Sequence, residues 1–390
     1  GMRPAPVTVV LLTDAPEWCR SLHDALASVD GIRPTVVDAR TLRWTPSQPF
    51  PSEWDVVVNR LSARPARADE HSLDTQAGVT LYRDIVAALE LQSRLTGRPA
   101  LVINGASCHH VGVSKCLQAS LFASLGLPTP LTRMRTSAAP VDENDSAAPT
   151  SWLIKPNVGG KGSGIVSVTV GDDTKMGESA TYEADGVAVL QEAIGSATGG
   201  VGEESGRLHA LSPGCVHRIE VLGGRVLYVA HVPTAGTTGT GPQFNNCLGD
   251  VCQRRPAPAA SFNNCLGDVC QRKPAAAASQ QPATASPISV TPPADILPAL
   301  AAAALRIAAA VGMDMGSVEY VVGDATASNL APEESSPLHR VWFIDVNPVS
   351  TLLQSDAALE VLGGVTGSEH QARYIASRAT EVQQRAAEAR

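Results

Sequence analysis

Acidic and amide side chains on two apolar stretches near the C-terminal end of the sequence could hold a metal ion. Glu319 interrupts the apolar run SVEYVV, and Asp345 and Asn347 close the run RVWFIDVN. In a β-strand, residues 345 and 347 lie on one face. Oxygen side chains brought together between two paired strands are costly without a cation, and oxygen-only ligands favour Mg²⁺ or Mn²⁺ over zinc. The alternative is that these side chains lie on the solvent-exposed face that antiparallel sheets often have.

Lysines and glycines in the middle of the chain form a second group, of the kind that contacts phosphate. An apolar strand ends at Lys155, a glycine-rich hairpin follows, and a second apolar strand starts at Ile165. Glycines let the backbone approach an anion and point N–H groups at it, while Lys155 and Lys161 supply mobile positive charge at the rim. No Lys-Ser/Thr pair follows the last glycine, so this is not a Walker A loop, and the alternative is a flexible hairpin with two surface lysines. The predicted phosphate-binding residues of the hairpin are Gly159, Gly160, Lys161, Gly162, Ser163 and Gly164.

Two further basic residues occupy positions that favour an anionic ligand. Ser114 is a predicted N-cap, which puts Lys115 at the first position of a helix. A cation there opposes the helix dipole, so an anionic ligand explains it better than helix stability does. Arg60 follows the apolar strand DVVVN, and strand C-termini of open α/β sheets face a ligand crevice. The alternative for Arg60 is an ordinary surface arginine. The apolar face of the helix after Ser114 is predicted to consist of Leu117, Leu121 and Leu125.

The composition is that of a soluble globular protein and excludes some classes of function. The chain has 390 residues, 44% of them hydrophobic, which is enough for two or three domains with real cores. A net charge of -8 argues against non-specific binding to nucleic acid or anionic membranes. No stretch is a plausible membrane span, and no signal peptide is visible, so we expect a cytoplasmic protein. Four of the eight cysteines are expected to be reduced and partly buried, namely Cys19, Cys108, Cys116 and Cys215.

Hydrophobic spacing predicts an α/β beginning. Strand-like runs at residues 7–12 and 54–59 enclose a helical pattern at residues 18–29. A longer helical pattern at residues 80–95 ends at glycine and proline, which places the end of the first domain near residue 98.

The remainder of the chain alternates strands with a long helix. The run VAVLQEAI at residues 187–194 is a predicted strand whose edge offers backbone N–H and C=O groups to a planar base. A hairpin is predicted at residues 215–232 with two glycines in its turn. The other predicted elements are strands at residues 100–104 and 130–135 and a helix at residues 295–311 with a core-facing stripe.

Taken in this order, the elements resemble the ATP-grasp superfamily. The resemblance is closest to its carboxylate-amine ligases, such as the ribosomal-protein glutamate ligases and the D-alanyl-D-alanine ligases, and it covers about residues 99–365. Two departures stand out. The metal carboxylates come in the order Glu then Asp, and the turn after Asn347 is Pro-Val-Ser-Thr instead of the usual small residues. The segments that carry the resemblance are VSKCLQASLFASLGLPTPLT, WLIKPNVGGKGSGI, VLQEAI, HRIEV, GMDMGSVEYVV and WFIDVNPVST.

The resemblance implies a fold of α/β and α+β class. An N-terminal α/β pre-grasp domain at residues 1–98 would precede a two-subdomain ATP-grasp fold. The small subdomain, with the glycine-rich flap, would span residues 99–190, and the large subdomain residues 191–390. A repeat-containing insertion would lie in the large subdomain at about residues 243–292.

The resemblance also implies the cofactors and their ligands. ATP would lie between the two subdomains, with its phosphates on Lys115 and Lys155. Adenine would contact the backbone of a hinge formed by Gln191, Glu192 and Ile194. Mg²⁺ or Mn²⁺ would be held by Glu319, Asp345 and Asn347.

The implied reaction is an ADP-forming ligation. A substrate carboxylate attacks the γ-phosphate, and an amine, of an amino acid or small peptide, displaces the acyl phosphate. Arg218 would stabilise charge on that intermediate. We expect small-molecule partners, with no nucleic acid and no membrane, and a homodimer stays open. The alternative is a catalytically silent ATP-binding module that engages a protein partner through the repeat. Retention of the metal carboxylates favours activity, because a pure binder could lose them.

A tandem repeat with a period of 18 residues interrupts the resemblance. FNNCLGDVCQRRPAPAAS, at residues 244–261, is followed at once by FNNCLGDVCQRKPAAAAS. In the glutamate ligases a loosely similar segment contributes to the substrate site, which makes Asn245 and Asn246 candidate substrate ligands together with Arg60. Three interpretations stay open: a zinc or disulfide site on the Cys-x4-Cys pairs, a fused peptide substrate, or a duplicated surface loop with reduced thiols. The last is favoured.

Overall fold

The fold consists of three β-sheets with helices packed on them. The structure is a computed structural model, and it describes residues 5–43, 50–62, 75–136, 151–158, 165–169, 186–194, 215–233, 288–323, 336–350, 352 and 355–388. Within these ranges, none of the helices has the length and apolarity needed to cross a bilayer.

The first sheet is parallel and has the strand order β2-β1-β3-β4. Apolar residues fill β1 and β3, which lie at the centre and are fully buried. The edge strand β2 was not predicted, because its polar residues and internal proline hide the strand pattern, and an edge tolerates both. Since β4 pairs with β3, the predicted end of the first domain near residue 98 falls before the last strand of the first sheet. The strands are β1 (Val7–Thr13), β2 (Ile32–Asp38), β3 (Val56–Arg60) and β4 (Leu101–Ile103), and the helices that accompany them are α1 (Arg20–Ala27) and α2 (Thr75–Thr96).

The second sheet is antiparallel and has the order β5-β8-β6-β7. Its β8 pairs with β5 on one side and with β6 on the other. Both edges of β8 are therefore paired with neighbouring strands, which its own sequence could not show, because strand order depends on pairing between segments far apart in sequence. The strands are β5 (Thr132–Thr136), β6 (Ser151–Pro156), β7 (Val166–Thr169) and β8 (Val187–Glu192).

The third sheet has the order β11-β10-β9-β12-β13. A long helix, α5 (Pro298–Val311), covers one of its faces and ends at Gly312, whose φ of 69° is left-handed. The predicted core stripe of this helix is confirmed, since Leu300, Ala304 and Ile307 are completely buried. The strands are β9 (Cys215–Leu222), β10 (Arg225–Pro233), β11 (Ser289–Thr291), β12 (Met315–Val322) and β13 (Val341–Asn347).

Two short helices connect the sheets, α3 (Ala106–Val113) and α4 (Lys115–Ser124). The predicted apolar face of α4 is wrong at Leu117, which is 36% exposed. The buried face contains Phe122 and Gln118, because Phe122 packs on Phe343 of β13 at a ring distance of 5.9 Å. The stripe is therefore rotated by about one residue, which turns the first residue of the helix toward the end of β13.

The C-terminal part of the chain joins the first and third sheets. The helix α7 (Gly367–Glu388) follows the short helix α6 (Asp356–Val361). Residues of α7 pack in one core with β1, α1 and the ends of β9 and β12. Asn104 links the same sheets: its side chain donates to Met315 O at 2.6 Å and to Pro348 O at 2.7 Å. Asn104 has a φ of 55°, a left-handed conformation that asparagine tolerates better than most residues.

Candidate active site

The predicted metal carboxylates are paired across two strands. In the antiparallel pair of β12 and β13, Glu319 lies opposite Asp345, and Ser317 lies opposite Asn347. Glu319 is 2% exposed, so the interpretation that it lies on a solvent-exposed sheet face is wrong. Burial raises the pKa of Glu319, Arg218 beside it lowers the pKa, and Asp345 raises it again. Two neighbouring carboxylates in this setting attract a cation.

The described ligand set fits a hard divalent ion. Asn347 Oδ1 accepts a hydrogen bond from Val349 N at 3.1 Å, which orients the amide and leaves the oxygen a second lone pair. Two carboxylates and one amide give only oxygen donors, which suits Mg²⁺. Among the described residues no cluster of three or more His, Cys, Asp and Glu side chains is placed to hold a metal. The amide of Asn347 stays the predicted third donor.

Lys115 is brought to this carboxylate pair by the start of α4. The predicted cap is confirmed, because Ser114 Oγ accepts from Leu117 N. The ammonium of Lys115 donates to Asp345 Oδ1 at 2.7 Å. This ion pair joins residues 230 positions apart and places a cation next to the predicted metal site.

Asn157 fixes the start of α4 against the strand that leads into the glycine-rich segment. Its side-chain oxygen accepts from Cys116 N at 2.9 Å and from Ser114 Oγ at 3.1 Å, and its carbonyl accepts from Lys115 N at 3.0 Å. Sequence reasoning did not single out Asn157. Its position directly after Lys155-Pro156 was the available signal, since asparagine commonly caps helices and turns.

Lys155 points into the protein from β6. It is 9% exposed, and its ammonium donates to Gln191 Oε1 on β8 at 2.6 Å. Burial, helped by the nearby charge of Lys115 and opposed by Asp345 and Glu319, lowers the pKa of Lys155 to about 8. The expectation of mobile charge at the rim of a flap is therefore wrong for Lys155, which is a fixed and partly destabilised cation.

The predicted adenine hinge begins at the end of β8, and part of its backbone is already occupied. Glu192 N donates to Leu131 O at 2.8 Å, and Ala193 N donates to Ser151 O at 3.0 Å. The N–H groups of these residues are therefore not available to a base. Backbone contact to adenine at Gln191 and Ile194, and through the carbonyl of Glu192, stays a prediction.

Arg218 lies between carboxylates on β9. It is opposite Glu319 in the register with β12, and its Nε lies 3.3 Å from Glu319 Oε1. The same Nε donates to Ser317 Oγ at 3.0 Å. The buried guanidinium therefore lies on the same sheet face as the carboxylate pair. This position is compatible with its predicted role of stabilising negative charge on the acyl phosphate.

Glu220 lies two residues after Arg218 on β9 and was not predicted as a site residue from the sequence. Burial raises the pKa of Glu220 to about 7 even though Arg218 lowers it. Glu220 Oε1 accepts from Ser350 Oγ at 2.8 Å. An acid inside the apolar run HRIEV was the signal that could have found it, and it is the same signal that pointed to Glu319.

Arg60, the last residue of β3 in the first sheet, also contacts Ser350. It is 3% exposed, so the surface interpretation is wrong, and its Nη1 donates to Ser350 O at 3.1 Å. Ser350 therefore contacts both Arg60 and Glu220, although it lies 290 residues from the former. The structure therefore brings Arg60 close to Glu220, which neighbours Arg218 on β9.

Some predicted site residues lie outside the described residues. They are Gly159, Gly160, Lys161, Gly162, Ser163, Gly164, Asn245 and Asn246, and both copies of the repeat lie outside as well. Their roles stay predictions. The four cysteines expected to be reduced, Cys19, Cys108, Cys116 and Cys215, are free thiols and are buried or half-buried.

Known proteins resemble the chain in fold and hardly at all in sequence. No family model matches the sequence, and no curated protein matches it. A D-alanine–D-alanine ligase from Bacillus anthracis superposes with a TM-score of 0.55 at 12% identity, covering 98% of this chain and 99% of that chain. A RimK-domain ATP-grasp protein from Sphaerobacter thermophilus superposes with 0.53 at 15% identity, covering 94% and 98%. The D-cycloserine synthetase DcsG gives 0.53 at 13% identity, covering 95% and 99%.

The chain therefore has the ATP-grasp fold, and the fold class implied by the sequence resemblance is confirmed.

The position of Lys155 leads to a prediction for nucleotide binding. ATP affinity is expected to fall as the pH rises above about 8, where free Lys155 loses its proton. Phosphate favours the ammonium form, so the complex keeps a proton that the free protein has released, and raising the pH then opposes binding. Nucleotide titrations of wild type and Lys155→Met at about pH 7 and about pH 9 should show a loss of affinity only in the wild type. Arg20→Met, on the exposed start of α1, is the control and should behave like wild type.

Proposed function

We propose that this protein is an ATP-dependent, ADP-forming ligase that joins a carboxylate to an amine. The observation that carries the proposal is the convergence of Lys115, Arg218, Glu319 and Asp345 on one face of the third sheet, with Lys115 and Asp345 in contact at 2.7 Å. Cations for phosphate and oxygen donors for a metal are the groups that phosphoryl transfer requires. The fold shared with known ligases agrees with this assignment.

Each residue has a distinct part in the proposed reaction. Glu319, Asp345 and Asn347 would hold Mg²⁺ or Mn²⁺, which when bound neutralises charge on the phosphate oxygens. Lys155 and Lys115 bind and orient the phosphates of ATP. Lys115 exchanges its contact with Asp345 for phosphate.

The reaction has two steps. First, an oxygen of the substrate carboxylate bonds to the γ-phosphorus while the bond from that phosphorus to the β–γ bridging oxygen breaks, so ADP leaves. Second, the amine nitrogen bonds to the carbonyl carbon and the bond from this carbon to the phosphate oxygen breaks, so phosphate leaves. The ammonium form of the amine loses one proton before attack, and the nitrogen loses another as the amide forms. Arg218, buried beside Glu319, stabilises the negative charge on the reacting carboxyl group.

A silent nucleotide-binding module is the competing function. Such a module would have no need to keep Glu319 and Asp345 opposite one another, whereas a ligase needs both carboxylates to hold the metal. The repeat that such a module would use to engage a partner lies outside the described residues. We further propose small-molecule partners and a cytoplasmic location. Whether the protein forms a homodimer stays open.

A product screen tests the function. The protein is incubated with ATP, Mg²⁺ and pools of amino acids and small peptides, and ADP, phosphate and product masses are followed. We expect ADP formation that depends on both substrates and a product lighter than their sum by one water. A complete lack of condensation product across the pools, with nucleotide still bound, would assign the protein to the silent class.

A further inference from the structure

Two charged side chains next to the proposed active site have polar atoms without a partner. Glu220 is 1% exposed and its Oε2 accepts no hydrogen bond, while Arg60 is 3% exposed and its Nε donates none. Both groups belong to the described part of the chain. Buried charged groups are nearly always fully paired, because an unmade hydrogen bond to a charge is costly. These atoms are therefore the ones that a polar ligand would satisfy.

Ser350 holds the two side chains side by side. Its hydroxyl donates to Glu220 Oε1 at 2.8 Å, and its carbonyl accepts from Arg60 Nη1 at 3.1 Å. The two charged groups do not pair directly with each other, since no ion pair joins them within the described residues. Because both side chains contact the same residue, they are close enough for the two charged ends of one small molecule to span them.

The charges of this pair select the kind of ligand. Arg60 and Arg218 carry positive charge, and the neighbouring carboxylates of Glu220 and Glu319 balance them when ionised. A ligand with only a carboxylate or only an ammonium would leave a net charge in a buried place, which is unfavourable. A zwitterion adds no net charge and offers one group to each side chain.

The strand geometry places this ligand beside the reacting centre. Arg218 and Glu220 are two residues apart on β9 and lie on the same face, at a spacing of about 6.7 Å. An amine held by Glu220 is thus adjacent to Arg218, where the activated carboxyl group would lie. The ligand is placed to act as the nucleophile and not as the group that ATP activates.

We propose that Glu220 and Arg60, connected through Ser350, bind the ammonium and carboxylate groups of a free α-amino acid, which is the acceptor of the ligation. The role as acceptor rests on the ligase function proposed above. The binding of an α-amino acid at this place rests on the two buried side chains alone. Glu220 and Arg60 are then specificity-determining residues for the acceptor.

Binding measurements test the proposal without requiring turnover. The full chain, with Mg²⁺ and a non-hydrolysable ATP analogue, is titrated calorimetrically with the standard L-α-amino acids and their D enantiomers. At least one should bind. Its amide, which lacks the carboxylate, and its deaminated acid, which lacks the ammonium, should each bind roughly 10- to 100-fold more weakly, as expected for loss of a charged hydrogen bond.

Two variants assign each half of the ligand to its side chain. E220Q should remove the preference for the amino acid over the deaminated acid while the discrimination against the amide stays. R60M should do the reverse. E360Q and R225M, which make the same changes at exposed positions, should leave both preferences unchanged. A purely structural role for the pair predicts equal weakening of all ligands, and that result would overturn the proposal.

The outcomes separate this inference from the ligase function. The inference is overturned if no amino acid binds the wild type. It is also overturned if an amino acid, its amide and its deaminated acid bind the wild type equally well. Both results are obtained on the wild type, so they count even if neither variant folds. ADP formation with simple amines as good as amino acids, unchanged in E220Q, overturns the inference and leaves the ligase function standing. Selective binding without condensation supports the inference and removes the ligase function.

Discussion

Replacing Asp345 by asparagine is expected to lower the rate of ADP formation by about 1,000-fold or more while the protein stays folded. Metal-ion stabilisation of phosphoryl transfer supplies several kcal/mol, and each 1.4 kcal/mol corresponds to about a tenfold change in rate. Asp345 lies opposite Glu319, so the variant keeps one carboxylate and loses one of the two negative charges that are proposed to bind the cation. The measurement is the rate of ADP release with saturating ATP and Mg²⁺.

Folding and a matched variant serve as controls. Asp345→Asn relieves the repulsion between two neighbouring carboxylates but loses the ion pair with Lys115, so its thermal stability without metal should stay close to that of wild type. Stabilisation by added Mg²⁺ and nucleotide should shrink in the variant, because the stabilisation follows binding. Asp84→Asn makes the same change on the exposed surface of α2 and should keep full activity. ADP release at the wild-type rate by Asp345→Asn would contradict the metal site.

Arg218→Met is expected to lower the free energy of unfolding by about 3 to 5 kcal/mol at neutral pH, the range for removing one partner of a buried ion pair. Arg218 is almost completely buried, with Glu319 at 3.3 Å and Glu220 at 3.7 Å from its Nε. Without the guanidinium these carboxylates are left in a buried place without their counter-charge. Urea unfolding of wild type and variant measures the difference.

The loss of stability should depend on pH with a defined sign. Burial already raises the pKa of Glu220 to about 7, and removing Arg218, which lowers this pKa, raises it further. The folded carboxyl group then keeps its proton to a higher pH than the unfolded one, so unfolding releases a proton and the variant loses stability as the pH rises. The deficit should be smallest near about pH 5 and largest above about pH 8. Arg225→Met, at an exposed position of the same hairpin, should show no such trend, and a pH-independent deficit in Arg218→Met would contradict the assigned cause.

The sequence predicted those features of the site that depend on neighbours along the chain. Glu319 and Asp345 were found because acids inside apolar strands are rare, and Lys115 because a serine cap fixed its place on a helix. Glu220 carried the same signal as Glu319 and was overlooked. The end of α5 at Gly312 was equally visible, since glycine adopts the left-handed conformation that stops a helix.

Features that depend on distant pairing could not be predicted in this way. Asn104 holds the first sheet to backbone carbonyls more than 200 residues away, and nothing in its local sequence indicates those partners. The central position of β8 is set by pairing with β5 and β6, and it occupied backbone groups that had been assigned to adenine. Lys155 looked like a surface lysine because burial by other segments is invisible in its own strand.

Isotope transfer from the carboxylate to phosphate tests the proposed chemistry most directly. The carboxylate substrate found in the product screen is labelled with ¹⁸O at both carboxylate oxygens, and the phosphate released with ADP is analysed by mass spectrometry. Activation through an acyl phosphate predicts one ¹⁸O atom in each phosphate, because the carboxylate oxygen that bonds to phosphorus leaves with it. Unlabelled phosphate, or AMP and pyrophosphate in place of ADP, would contradict the account.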